Sequence, residues 1–342
     1  MSDLVGKNIH GFKITGILGE GGMGIVYKAY DTKLERNVAV KMLHTRPNQS
    51  ARMLHQLRKE AKHQAKLVHP NIVMVHGLLE HFSFLGIVME YVEGINLHQL
   101  IAQKGRLSVN ETIKLLRQIL FGIEYAHSKG FIHRDIKPSN IIVNNEGTAK
   151  IMDFGISKSL FDSGGFETPH YNMGTIFYMS PEQIQNKGTS RFSDIYSIGC
   201  TAYEMLTGFP PFFSTSKFEV MEGHLKRQPN NFANVIYGVP LWLDYAILKS
   251  LAKNPYDRYQ SCRDMLHAID EGTNTASTYS EPETAAPQIS RSYKVIRFIV
   301  LLILLAVLIS VSYFVVKSVE LTKFKESKPD PKKPQQIERF IE

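Results

Sequence analysis

The sequence predicts an α+β fold in two lobes, a five-stranded antiparallel sheet with one helix followed by a larger, mainly α lobe, and then a single transmembrane helix. Three observations carry this expectation. Strand-like apolar runs cluster between residues 12 and 91, helical periodicity takes over from Ser108, and residues 298–316 hold no charged side chain.

The first three runs, 12–18, 25–31 and 37–43, are separated by glycines or by Asp, Lys and Glu, as in an antiparallel meander. Leu54, Leu57, Ala61 and Leu67 then recur at helical intervals and predict a helix over 51–67 with one buried face. Runs at 72–79 and 85–91 complete the small sheet. Ser108 and Glu111 stand at capping-box spacing, and Ile113, Leu116, Leu120 and Ile123 carry a helix on to Gly130. Further helices are expected over 193–207, 242–252 and 262–271. No internal repeat is visible at the periods that mark solenoids or propellers.

After Glu271 the composition shifts. Residues 272–291 are rich in Thr, Ser, Ala, Glu and Pro, too polar to offset their own ordering entropy, so a disordered linker is expected over 272–297. Residues 298–316 are dominated by Leu, Ile and Val. At ~1.5 Å per residue they reach roughly 28 Å, against a hydrocarbon core of about 30 Å. A segment this apolar on every face reads as a membrane span and not as a core helix. Residues 317–342 form a short charged tail with Pro329, Pro331 and Pro334. Lys and Arg flank the span on both sides, so the positive-inside rule does not orient it. The lead, residues 1–11, lacks the basic region and apolar run of a secretory signal.

Composition excludes several classes. Of 342 residues, 43% are hydrophobic and 21% charged, the balance of a globular protein and not of a disordered one. The net charge of +8 is spread among acidic residues, with no basic block interleaved with aromatics, which argues against nucleic acid. Arg291, Lys294, Arg297 and Lys317 sit beside the apolar span and suit anionic headgroups. The two cysteines, Cys200 and Cys262, have no ligand spacing and read as buried free thiols.

Four motifs carry chemistry. Gly19-Glu20-Gly21-Gly22-Met23-Gly24-Ile25-Val26 follows Leu18 at the turn between two strands. Its glycines let backbone N–H groups approach phosphate oxygens, and Val26 offers an apolar wall for a base. A plain Gly-rich hairpin or a dinucleotide loop competes, although the latter needs a helix where residues 26–30 read as strand. Val38-Ala39-Val40-Lys41 sets a lysine among apolar neighbours, and Glu60 on the following helix can hold its ammonium against α- and β-phosphates. In His133-Arg134-Asp135-Ile136-Lys137-Pro138-Ser139-Asn140, Asp135 would orient a hydroxyl and take its proton, Lys137 would neutralise the γ-phosphoryl group, and Asn140 would hold a metal ion. Asp153-Phe154-Gly155 follows a strand expected over 149–152, and Asp153 can bridge phosphate oxygens through Mg²⁺, a hard cation that prefers oxygen.

These motifs, with Ser180-Pro181-Glu182, residues 194–199 and Arg258, make residues 12–271 resemble the eukaryotic-type serine/threonine protein kinases, most closely their bacterial, membrane-anchored branch. The resemblance implies the two-lobed kinase fold, with ATP and Mg²⁺ or Mn²⁺ as cofactors. It implies an adenine pocket walled by Val26, Ala39 and Ile142, with Met89 at its gate and backbone groups of Glu90 and Val92 on the adenine edge. Glu182 would pair with Arg258, and Asp194 would hold the catalytic loop. Lys137 is the mark of the serine/threonine class. Ser180 departs from the family's usual alanine, and Gln64 occupies a position that is often apolar. A non-transferring scaffold of this fold would lack Lys41, Asp135, Asn140 or Asp153, and all four are present. A small-molecule kinase would usually lack the 180–182 segment.

Protein substrates are the expected partners, with a second copy of the chain as a homodimer partner for trans-autophosphorylation. Arg134 and Lys158 could converge on a phosphate in the loop 159–172, where Thr168 is the first candidate; Thr175 is the second, although in the family that position more often contacts the catalytic loop. Because ATP is cytosolic, the expected location is the cell (inner) membrane, with 12–271 cytoplasmic and the tail extracytoplasmic.

Overall fold

The computed structural model describes residues 4–21, 24–43, 51–81, 84–154, 173–232, 236 and 238–278. Expectations on the span 298–316, the tail, Gly22, Met23, Gly155, Lys158 and Thr168 lie outside the described residues. Among the described residues no helix is long and apolar enough to cross a membrane.

The small lobe is built on strand alternation. β1 (Asn8–Ile9), β2 (Phe12–Gly21), β3 (Gly24–Asp31) and β4 (Arg36–Leu43) pair antiparallel in sequence order, and after helix α1 (Ala51–Gln64) come β5 (Val75–His81) and β6 (Phe84–Glu90). The sheet order is β1-β2-β3-β4-β6-β5. It has six strands and not five, because residues 8–9 of the expected lead add a short edge by pairing with Phe12 and Lys13. Along β3 and β4, Ile25, Tyr27, Val38, Val40 and Met42 bury on one face with Ile14 and Val88. Ala39 belongs to a second cluster on the opposite face with Val73, Val75, Ile87 and Met89, against which Val26, Val92 and Met152 pack. Val26 stands opposite Lys41 in this register. A slip of one residue would swap the two faces.

Residues 71–74 join the lobes. Strand β5 begins three residues later than the run at 72–79 predicts, because these residues bond elsewhere. Val73 N–H donates to Ile151 O at 2.9 Å, Ile151 N–H donates to Asn71 O at 2.9 Å, and Glu90 N–H donates to Met74 O at 2.9 Å.

The large lobe continues through β7 (Gly94–Asn96), α2 (Leu97–Lys104) and α3 (Val109–Ser128), then β8 (Ile141–Asn144) and β9 (Ala149–Ile151), which with β7 form a three-stranded sheet. Both helices start on capping boxes, Asn96 with Gln99 and Ser108 with Glu111. Single turns α4 (Met173–Ile176) and α5 (Pro181–Ile184) precede α6 (Arg191–Thr207), α7 (Lys217–Lys226), α8 (Leu241–Ser250) and α9 (Cys262–Thr278). In α3, Ile113, Leu116, Ile119 and Ile123 are buried, each contributing about 1.5–3 kcal/mol through burial. Helix α6 is buried from Ser193 to Leu206. Its Gly199 has no room for a side chain, since a Cβ there would lie 2.0 Å from Ser250 Oγ on α8.

Helix α9 runs seven residues past the predicted end at 271, into what composition marks as linker. The reason is packing. The Trp242 ring lies against the helix backbone at Gly272, where a Cβ would come within 2.3 Å of the indole. Gly272, which composition assigns to the linker, admits the ring. Both cysteines are buried and free, Cys200 inside α6 and Cys262 at the start of α9.

Candidate active site

Five polar side chains named from the sequence meet where the lobes join. Lys41 leaves the cleft face of β4, and its Nζ lies 2.6 Å from Asp153 Oδ1, with both side chains largely buried. The expected partner was Glu60. Its backbone lies on α1, and its side chain is outside the described residues. Asp153 follows directly from β9 and Met152, whose N–H donates to Asn140 O at 2.9 Å. Asn140 and the Asp153 strand are therefore in contact through one residue.

Asn140 closes a 3-10 turn after Pro138 and donates Nδ2–H to Asp135 O at 2.8 Å and to Asp135 Oδ2 at 3.1 Å. That points its Oδ1 away as an acceptor. Lys137 Nζ is 2.8 Å from Asp135 Oδ2 and donates to Thr175 Oγ1 at 3.0 Å. One ammonium thus spans the carboxylate and the segment leading into α5. Sequence reading offers Thr175 for modification; the structure gives its hydroxyl this contact with Lys137.

The loop is held from below. Asp194 at the first turn of α6 accepts His133 N–H and Arg134 N–H, each at 2.8 Å, and touches His127 Nε2 at 2.8 Å. Arg134 takes a left-handed φ of 69°, which costs a non-glycine residue about 1 kcal/mol or more. The Asp194 contact and a hydrogen bond from Gln183 Nε2 to Arg134 O at 3.0 Å hold it there. Asp153 is also left-handed, at 61°.

His133 is fully buried and packs on Phe154 at 4.6 Å. Its Nδ1 accepts Asp135 N–H at 3.2 Å, so Nε2 carries the proton and donates to Met152 O at 3.0 Å. Burial pushes its pKa below the ordinary value, which keeps the ring neutral. It is a packing residue that ties the Asp135 loop to the Asp153 strand.

Toward the small lobe, Ala39 and Met89 are buried and face each other in register, with Val26 and Val92 half-buried beside them. Ile142 on β8 is half-buried. Leu18 is exposed at a register irregularity of β2, and Gly19, Glu20 and Gly21 pair with Val26, Ile25 and Gly24. Ile25 is corrected: its side chain is 2% exposed in the core on the far face, so only its backbone borders the glycine turn. Alternation along the strand would have shown this, since Val26 faces the cleft and its neighbour cannot.

A brace lies deeper. Arg258 Nη1 and Nη2 each donate at 2.9 Å to the two oxygens of Glu182. Burial of Glu182 opposes ionisation, but the guanidinium and the Ser193 hydroxyl outweigh it and hold the carboxyl below its usual range. Sequence reasoning expected Thr175 to touch the catalytic loop without naming Lys137, and it missed two other contacts, Gln183 to Arg134 and Lys150 Nζ to Glu90 Oε1 at 2.8 Å. All join residues far apart in sequence, and no local pattern announces them.

Fold and site together define a two-lobed kinase architecture. The protein kinase domain family matches residues 12–269, and the chain belongs to that family, in its eukaryotic-type serine/threonine group. It is 37% identical over 258 residues to the serine/threonine-protein kinase PknB of Mycobacterium leprae, covering 74% of this chain and 42% of the relative. To PrkC of Bacillus subtilis it is 37% identical over 265 residues, covering 77% and 40%. The chain thus spans about two-fifths of these relatives' length. The crystal structure of Rad53 1-466 in complex with AMP-PNP superposes with a TM-score of 0.63 at 28% identity, over 75% of this chain and 64% of that one.

Proposed function

We propose that the chain is a membrane-anchored serine/threonine protein kinase that moves the γ-phosphoryl group of Mg-ATP onto protein hydroxyls. The observation that carries this reading is the meeting of Lys41, Asp135, Lys137, Asn140 and Asp153 at one inter-lobe junction. In this reading Asp135 orients the acceptor hydroxyl and takes its proton as the new oxygen–phosphorus bond forms and the bond to the ADP oxygen breaks. Lys137 stands beside Asp135 to neutralise charge on the transferred group, and Lys41 holds the α- and β-phosphates. Val26, Ala39, Met89 and Ile142 enclose the base, with backbone groups of Glu90 and Val92 at its edge.

The donor set suits a hard divalent cation. Mg²⁺ is usually held by one or two carboxylates together with substrate phosphates, and the carboxylate of Asp153 and the amide oxygen of Asn140 supply protein oxygens without any His or Cys. When bound, such an ion neutralises charge building on the β- and γ-phosphate oxygens.

Lys41→Met tests the assignment. The stem is retained and the charge lost, so transfer of labelled phosphate to a generic acceptor should fall at least about tenfold while the melting temperature stays within a few degrees. Undiminished transfer would remove Lys41 from the site.

Two further parts rest on sequence. Residues 298–316 serve as the membrane span, with 12–271 in the cytoplasm and 317–342 outside. Protease added to intact cells should then trim only the tail, and digestion of the kinase domain would reverse the topology. Trans-autophosphorylation between two copies modifies Thr168, whose phosphate Arg134 and Lys158 would bind. Mass spectrometry of protein incubated with ATP should find phosphate between Ser159 and Thr175; its absence would dismiss this control.

A further inference from the structure

Glu90 ends β6, where its backbone borders the proposed adenine edge, but its side chain turns elsewhere. It stands opposite Val38, on the face of the sheet away from Ala39 and Lys41. There Oε1 and Oε2 lie 2.8 Å and 3.0 Å from Lys150 Nζ, and Oε2 also accepts Met74 N–H at 3.3 Å. Lys150 sits in β9, three residues before Asp153. The carboxylate therefore reaches across the inter-lobe segment 71–74, from the last strand of the small lobe to the strand that leads into Asp153.

The same three layers are bonded through their backbones, Glu90 to Met74 and Val73 to Ile151. Those bonds pair neighbouring layers two at a time, whereas the Glu90 carboxylate ties all three through Lys150 and Met74 and adds resistance to their sliding past one another. Both side chains are shielded, at 17% and 29% exposure, so the pair is screened less than a rim contact. An isolated surface pair would contribute little. This one joins the two points between which an adenine and a phosphate-bound ion would have to be held.

We propose that the side chains of Glu90 and Lys150 are positioning groups that set the spacing between the adenine edge and Asp153, and so tune nucleotide affinity without either side chain touching the nucleotide. The inference rests on the kinase reading above. A nucleotide gripped at both ends is sensitive to that spacing, whereas an acceptor peptide docked on the large lobe alone is not.

The test compares the wild-type chain with Lys150→Met, Glu90→Gln and the exchanged pair Glu90→Lys with Lys150→Glu. Initial rates are measured against ATP and against casein, ATP binding by calorimetry, and folding by thermal melting. Each single variant should raise KM and Kd for ATP about fivefold, leave kcat and the KM for casein within about twofold, and the exchanged pair should recover most of the loss. Glu90→Gln keeps the acceptor for Met74 N–H, so it reports on charge even where Lys150→Met weakens folding. Unchanged ATP affinity in the single variants overturns the proposal, as does an exchanged pair no better than either, or a fall in kcat that tracks the melting temperature. Asp135→Asn run alongside separates the two claims. If it matches the wild type, the kinase reading fails; if it is inactive while Lys150→Met binds ATP normally, only the positioning role is lost.

Discussion

Asp135→Asn should lower phosphoryl transfer by about 10² to 10⁴ while leaving ATP binding and folding nearly intact. The substitution is almost isosteric, and the backbone carbonyl of residue 135 still receives the Asn140 amide. What disappears is the carboxylate that Lys137 faces at 2.8 Å and the only base the loop offers to an incoming hydroxyl. Single-turnover transfer of labelled phosphate, with ATP binding measured in parallel, isolates the chemical step. Transfer equal to the wild type would remove Asp135 from the mechanism.

The second large effect concerns stability. Arg258→Met should destabilise the large lobe by about 3–5 kcal/mol, because it leaves the Glu182 carboxylate buried without its cation. The guanidinium is fully buried and also donates to Phe192 O, Ala252 O and Lys253 O, so truncation removes three further hydrogen bonds. Denaturant unfolding measures the loss, and a change under about 1 kcal/mol would refute the brace. The pH dependence has a definite sign. The Glu182 carboxyl is held below its usual range in the folded chain, so its contribution is fully present above the unfolded value near about 4.3. It fades as pH falls through the lower folded value, so the stability gap between the wild type and Arg258→Met should narrow on acidification.

The long strands and α3 were legible because burial imposes periods of two and 3.6 on their side chains. The site motifs were legible because glycine turns, the His133–Asn140 loop and Asp153 are each contiguous. Other features were not. The edge strand β1 has two residues, too few for a period to show. The capping pair Asn96 and Gln99 announces α2, a signal present in the sequence that the expected helices leave out. Gly272 carries a packing role against Trp242 in a stretch whose composition speaks for linker. The direct Lys41–Asp153 contact bridges 112 positions and depends on lobe geometry that no local pattern encodes.

The placement of the two thiols has a practical corollary. Cys200 and Cys262 show no exposed surface, and burial pushes both thiols well above their ordinary pKa, so neither offers a nucleophilic thiolate near neutral pH. The two thiols of the folded domain should therefore resist alkylation and mild oxidation. Because one cysteine lies in the central helix and the other on the closing helix, any reaction at sulfur becomes a clock for the opening of the helical lobe.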